Sequence, residues 1–294
     1  MKESGQSSEP ALVLGAHPIA DSIQGCLSQA GQTVLTDLNA DQAADVRLAI
    51  LVTEEDADLK RQWIREIEAK VSGETLIAVN TETIGLDVLQ ANALYPERII
   101  GLNWTEPADT TLFLEIIAND MTDATHVAYL EEIAQTSWNK DPYVIHGNTG
   151  IRMRLLAALI REAFYLVQNG YANVEDIDRA CRNDAGYYLP FAGNLRYMDL
   201  MGTYAYGMVM KDLNSELATD TKLPGFFTEM VRRGEWGMEE GGKGFYQYDD
   251  GEVERWRELM GKFSLEIREL IGKYNFGNSA EEVILQFKNG SGLL

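Results

Sequence analysis

The sequence predicts an α/β protein in two parts, an alternating strand-and-helix half followed by a half built of helices alone. Three observations carry the prediction. Short apolar runs of strand length, such as Ala11 to Leu14 and Leu112 to Ile117, recur with amphipathic stretches between them over the first half. Beyond Gly147 such runs stop and a helical period takes over. A length of 294 residues with 45% apolar side chains is enough for two buried cores, placed at residues 1–146 and 147–294.

Ala11 to Leu14 reads as a buried strand closed by Gly15, and Ile19 to Ala30 as a helix stopped by Gly31. Gln32 to Thr36 is the next strand. This strand–turn–helix–strand opening places a helix N-terminus where a dinucleotide phosphate would sit. After a polar loop, Asp37 to Asp45, come the strand Arg47 to Val52, an acidic helix start at Glu54-Glu55-Asp56 and a helix to about Val71. Strands at Thr75 to Val79, Ile99 to Leu102 and Leu112 to Ile117 follow, then a helix over Asp123 to Ser137 and a strand at Tyr143 to Ile145. In the second half, helices are expected over Arg152 to Gln168, Asn173 to Asn183 with Asn173 as N-cap, Leu195 to Leu217, Phe226 to Arg233, Glu252 to Tyr274 and Ala280 to Lys288.

Composition narrows the partners. A net charge of −21 repels phosphate backbones and anionic lipid surfaces, so neither nucleic acid nor a membrane is expected as partner. No apolar run approaches the roughly twenty residues of a membrane span, and the polar start Met1 to Pro10 lacks a signal peptide's pattern, so a cytoplasmic location is expected. Cys26 and Cys181 have no paired spacing and read as packed thiols. The three histidines, His17, His126 and His146, are too scattered for a metal site.

The helical half resembles the C-terminal domain of the 3-hydroxyacyl-CoA dehydrogenase family. The likeness rests on Gly170-Tyr171-Ala172-Asn173 with Glu175-Asp176-Ile177-Asp178-Arg179-Ala180, Leu189-Pro190-Phe191-Ala192-Gly193, Met198-Asp199-Leu200-Met201-Gly202, Met230 to Gly234, and Gly242-Lys243-Gly244-Phe245-Tyr246. The first half matches through the Gly15 turn, Val79-Asn80-Thr81, Gly101-Leu102-Asn103-Trp104 and Leu114-Glu115-Ile116-Ile117. The resemblance implies a Rossmann-like N-terminal domain, shortened between Asp37 and Arg47, followed by an all-α C-terminal dimerisation domain. It also implies NAD as cofactor, a small-molecule ligand in the interdomain cleft and a homodimer. The aromatic residues Tyr187, Tyr188, Phe191, Tyr197, Tyr204 and Tyr206 are expected in helix packing and the dimer interface.

In that family a histidine takes the hydroxyl proton, a glutamate orients it, and a serine and an asparagine hold the substrate oxygen. The histidine position here is Asn103, whose carboxamide cannot accept a proton. The glutamate position is Glu115. The serine position is Glu82, and the asparagine position, four residues after Gly150, is Arg154. The cofactor positions are Gly15, His17, Ala20 and Asp37. Gly15 serves the tight turn, Ala20 the close helix, and Asp37, 22 residues after Gly15, the ribose hydroxyl. His17 puts an imidazole where backbone should approach the pyrophosphate, and Pro18 removes a donor.

Glu82, Glu115 and Arg154 are expected to form a charge cluster, either a structural plug or a repurposed polar site in which Arg154 holds a carboxylate or phosphate. Three functions stay open: a diverged oxidoreductase with an unknown substrate and a changed proton donor, a catalytically silent pseudoenzyme that binds a ligand or acts as scaffold, and a non-redox proton-transfer or lyase enzyme using Glu82 or Glu115.

Overall fold

Strands that are apolar at every position need cover on both faces, and the first half of the chain is built to supply it. The computed structural model describes residues 9–15, 18–238 and 242–274. Its strands are β1 (Ala11–Leu14), β2 (Val34–Leu35), β3 (Leu48–Leu51), β4 (Leu76–Val79), β5 (Ile99–Trp104), β6 (Phe113–Ala118) and β7 (Asp141–His146), in one sheet of order β2-β1-β3-β4-β5-β6-β7. The β5–β6 pair is antiparallel and the other pairs are parallel. Ala11 and Val13 face α1 (Pro18–Gln29) and α4 (Ala124–Thr136), joining Ile23, Leu27 and Leu130 in one core. Leu12 and Leu14 face α2 (Ala57–Glu68) and α3 (Leu86–Gln90), with Ile64, Ile67 and Leu86 in the other. The result is a three-layer α/β/α unit. The second strand is shorter than the expected Gln32 to Thr36, so Asp37 lies two residues past its end.

The chain divides into units of residues 1–156 and 157–294. The division falls beyond the expected boundary at 146 because the start of α5 (Arg152–Gln168) is bonded to the sheet: the Ile151 and Arg152 N–H groups donate to Glu115 on β6.

The second unit is helical, with α6 (Val174–Ala180), α7 (Gly186–Met201), α8 (Thr203–Leu213), α9 (Gly225–Arg232) and α10 (Glu252–Lys273). Asn173 caps α6 as expected, its side-chain oxygen accepting from the Asp176 N–H at 2.8 Å. Two expectations are corrected. The helix of Asn173 to Asn183 leaves α geometry at Ala180 and widens into a π turn over Cys181–Ala185. The single helix of Leu195 to Leu217 is broken at Gly202, whose φ of 106° no helix accommodates, and α7 is itself kinked at Gly193. The helix expected over Ala280 to Lys288 lies outside the described residues. No residue of α5, α6, α7 or α8 is buried, although these helices carry Leu195, Leu200 and Tyr204, each more than 60% exposed. Among the described residues no helix is long and apolar enough to cross a membrane.

Candidate active site

Three strands place Asn103, Glu115 and Tyr143 in one row. In the β5–β6–β7 register Asn103 pairs with Glu115 and Glu115 with Tyr143, so all three side chains share a face of the sheet. Asn103 is fully engaged. Its Nδ2 donates to the Thr81 carbonyl at 2.7 Å and to Glu115 Oε2 at 2.9 Å, and its Oδ1 accepts from the Thr81 N–H at 2.8 Å. Both amide hydrogens are used, and the side chain is sealed from solvent.

Glu115 is buried yet well satisfied. Its Oε1 accepts from the Tyr143 hydroxyl at 2.9 Å, from Ile151 N–H at 2.9 Å and from Arg152 N–H at 3.2 Å. The carboxylate therefore sits at the start of α5, where the free N–H groups and the helix dipole both favour negative charge. A Cβ on Gly150 would lie 1.8 Å from Glu115 Oε2, so only glycine lets the chain pass. Retention of a carboxylate at this position has a structural cause that needs no imidazole. Burial and the bond to Glu115 both raise the Tyr143 hydroxyl well above the usual tyrosine range.

Glu82 is pinned differently. Asn103 holds the residue before it, and Glu55 Oε1 accepts from the N–H groups of Glu82, Thr83 and Ile84 at 2.9, 2.7 and 2.9 Å. Glu55 is in turn 3.4 Å from the buried Lys60 ammonium, which donates to the Asn80 carbonyl and Oδ1, both at 2.8 Å. Burial lowers Lys60; burial also raises Glu55, but the three backbone donors and Lys60 outweigh it and leave Glu55 below the usual carboxylate range. The loop after β4 is thus clamped from two sides.

The Glu82 side chain projects from this rigid loop, with Oε1 2.7 Å from Arg152 Nη1 and a buried Oε2 that has no partner among the described residues. Burial pushes Glu82 up, against the pull of Arg152 and helped by the charges of Glu115 and Glu55. The guanidinium in the cluster is that of Arg152, which corrects the expectation placed on Arg154. The first turn of α5 points Arg152 at Glu82, and a residue two positions on is rotated by about 200° around the helix. Arg154 is accordingly exposed.

Two family models meet end to end on this chain. The NAD binding domain of 3-hydroxyacyl-CoA dehydrogenase matches residues 22–149, and the C-terminal domain of the same enzyme matches residues 151–248. The chain belongs to the 3-hydroxyacyl-CoA dehydrogenase family. Among relatives, the 5-formyl-3-hydroxy-2-methylpyridine 4-carboxylate 5-dehydrogenase of Mesorhizobium japonicum is 27% identical over 237 residues, covering 79% of this chain and 76% of that one. The fatty acid oxidation complex subunit alpha of Vibrio parahaemolyticus is 30% identical over 197 residues, covering 66% of this chain; the chain spans 27% of that longer protein. A solved 5-formyl-3-hydroxy-2-methylpyridine 4-carboxylic acid 5-dehydrogenase, described as an NAD+ dependent dismutase, superposes with a TM-score of 0.78 at 23% identity over 89% of this chain and 90% of its own. The (S)-3-hydroxybutyryl-CoA dehydrogenase of Ralstonia eutropha gives 0.61 at 21% identity, over 83% and 100%. Both likenesses show the shared fold.

The first unit is therefore, by family, an NAD-binding domain, and its described cofactor positions fit that role. Gly15 ends β1 with φ at 143°, and a Cβ there would lie 2.1 Å from the Val52 carbonyl oxygen, so the turn into α1 requires glycine. Ala20 is buried under the sheet as the close-packing position. Asp37 is exposed; the N–H groups of Asn39 bind its Oδ1 at 2.8 and 3.0 Å, hold its carboxyl below the usual range and leave Oδ2 clear of that turn. His17 lies outside the described residues.

Within the 3-hydroxyacyl-CoA dehydrogenase frame, then, Asn103, Glu115 and Glu82 come together and Arg154 does not. Sequence reasoning missed Tyr143, Arg152, and the Glu55–Lys60–Asn80 clamp. The acidic run Glu54-Glu55-Asp56 was the visible trace of that clamp, and it reads equally well as a helix start.

Proposed function

We propose that this chain is an NAD-dependent oxidoreductase with a diverged substrate, in which Glu82 exchanges the proton that the family's histidine otherwise handles. A bound nicotinamide supplies one thing, the acceptance or delivery of hydride. Gly15, Ala20 and Asp37 are the residues that would hold the cofactor. The chain must add a group that removes the proton from a hydroxyl, or returns it to a carbonyl oxygen. Asn103 is unsuited, since a carboxamide does not take a proton and both its hydrogens are committed. Glu82 is suited: one carboxylate oxygen is bound by Arg152, and the other, buried and without a partner among the described residues, is the observation that carries the reading. A carboxyl raised by burial above its ordinary range and fixed on a clamped loop meets the needs of general acid–base catalysis. The relative named for a pyridine carboxylate supports a small ring substrate in place of an acyl thioester.

The test is NADH consumption with a panel of small aldehydes and ketones. Turnover of at least one is expected. NADH binding without any turnover would favour the ligand-binding reading, which the saturated hydrogen bonds of Asn103 also suit. Proton transfer without NADH would favour the non-redox one.

We also propose a homodimer formed through the helical unit. The apolar side chains of α7 and α8 that stand exposed, including Leu195, Leu200, Met201, Tyr204 and Val209, offer a second copy an apolar face to cover. Sedimentation at micromolar concentration is expected to give the mass of two chains, and Leu200→Glu is expected to weaken the association. A clean wild-type monomer would contradict this.

A further inference from the structure

The Glu82–Arg152 pair differs from an ordinary ion pair in what it leaves unused. Arg152 donates through Nη1 alone, to Glu82 Oε1 at 2.7 Å and to the Met153 sulfur at 3.5 Å, so Nε and Nη2 have no partner among the described residues. Its side chain is 30% exposed and that of Glu82 26%, so solvent reaches the pair from one side. On the other side the Phe113 ring centroid lies 5.8 Å from the guanidinium, and Phe113 packs edge-on against Tyr143. A guanidinium with a free fork beside a flat apolar wall matches a planar carboxylate attached to a ring.

We propose that Arg152 seats a carboxylate of the substrate, a flat ring acid, and that seating it places a proton on Glu82. This deepens, and rests on, the reading of Glu82 as the proton-exchanging group. The reason is local charge. The groups facing Glu82 are Arg152 on α5, Glu115 on β6 and Glu55 from the β3–α2 loop, with Lys60 and Tyr143 behind them. Glu55, Glu82 and Glu115 already outnumber Arg152 and Lys60. A further carboxylate on Arg152 competes for the guanidinium that Glu82 contacts and adds a like charge beside it. Glu82 answers by taking one proton from solvent, because the carboxylate oxygens of Glu55 and Glu115 are each engaged by several hydrogen-bond donors, whereas Glu82 Oε2 has none among the described residues.

The seated substrate thereby arms its own acid. In reduction, where a bound nicotinamide would supply hydride to the carbonyl carbon, Glu82 gives its proton to the carbonyl oxygen and is left as carboxylate. In oxidation each transfer runs in reverse.

The test is calorimetric titration of benzoate, at neutral pH, with and without saturating NADH, in Bis-Tris and in Tris buffer. The two buffers differ widely in ionisation enthalpy, so the difference in heat counts protons. Benzoate is expected to bind with uptake of close to one proton, and benzyl alcohol not to bind. Arg152→Gln is expected to weaken benzoate by roughly tenfold or more. Glu82→Gln is expected to bind benzoate at least as tightly as wild type, with the proton uptake gone. Benzoate that fails to bind wild type, binds Arg152→Gln equally well, or binds without proton uptake would overturn the proposal. A failure of NADH itself to bind would instead sink the oxidoreductase reading, and the benzoate heats would still decide whether the seat exists.

Discussion

Glu82→Gln is expected to lower turnover by roughly 10²–10⁴-fold, against whichever carbonyl compound the wild type reduces with NADH, while NADH affinity stays near the wild-type value. The substitution keeps shape and the contact with Arg152 but removes the exchangeable proton. Its pH signature separates it from a structural lesion. Oxidation needs Glu82 ionised, and its carboxyl is raised by burial more than Arg152 lowers it. The kcat/KM for oxidation should therefore fall as pH drops through a value above the ordinary glutamate range, and that for reduction should fall as pH rises through it. Both limbs should vanish in Glu82→Gln. A variant that keeps wild-type turnover, or loses it with both limbs intact, would show that Glu82 only supports the site.

The largest effect on stability is expected at Glu115. Glu115→Ala would leave Asn103 Nδ2, the Tyr143 hydroxyl and the N–H groups of Ile151 and Arg152 without their acceptor in a buried setting. The cost should be about 3–5 kcal/mol, as for removal of one member of a buried charged network. Glu115→Gln should also destabilise, because one end of the amide is a donor and the carboxylate it replaces faces donors only. Urea unfolding checks this, read at the transition of the first unit. A loss below about 1 kcal/mol for Glu115→Ala would mean that water readily replaces the carboxylate.

The layered fold was legible because β1, β3 and β4 are apolar at every position, which leaves few alternatives to a sheet covered on both faces. Asn103, Glu115 and Glu82 were legible through spacing relative to recognisable motifs. Arg152 was not, because motif spacing pointed to Arg154, and only the start of α5 decides which of the two side chains turns towards the sheet. Tyr143 joins the site through strand register, a property of pairings that local pattern does not fix. The Glu55 clamp links residues 27 to 29 positions apart in the chain, beyond any local signal. The break at Gly202 was hidden for another reason: the apolar stripe of Leu195 to Leu217 runs through that glycine, and only backbone angles reveal the interruption.

The central claim is that the proton-handling group has moved to Glu82 while the first unit keeps its nicotinamide cofactor. Calorimetric titration of NADH into the purified wild-type protein tests it most directly. Saturable binding in the micromolar range is the predicted result, with the same affinity in Glu82→Gln. An absence of heat up to millimolar NADH would contradict the account, since the acid–base group would then have no hydride chemistry to serve.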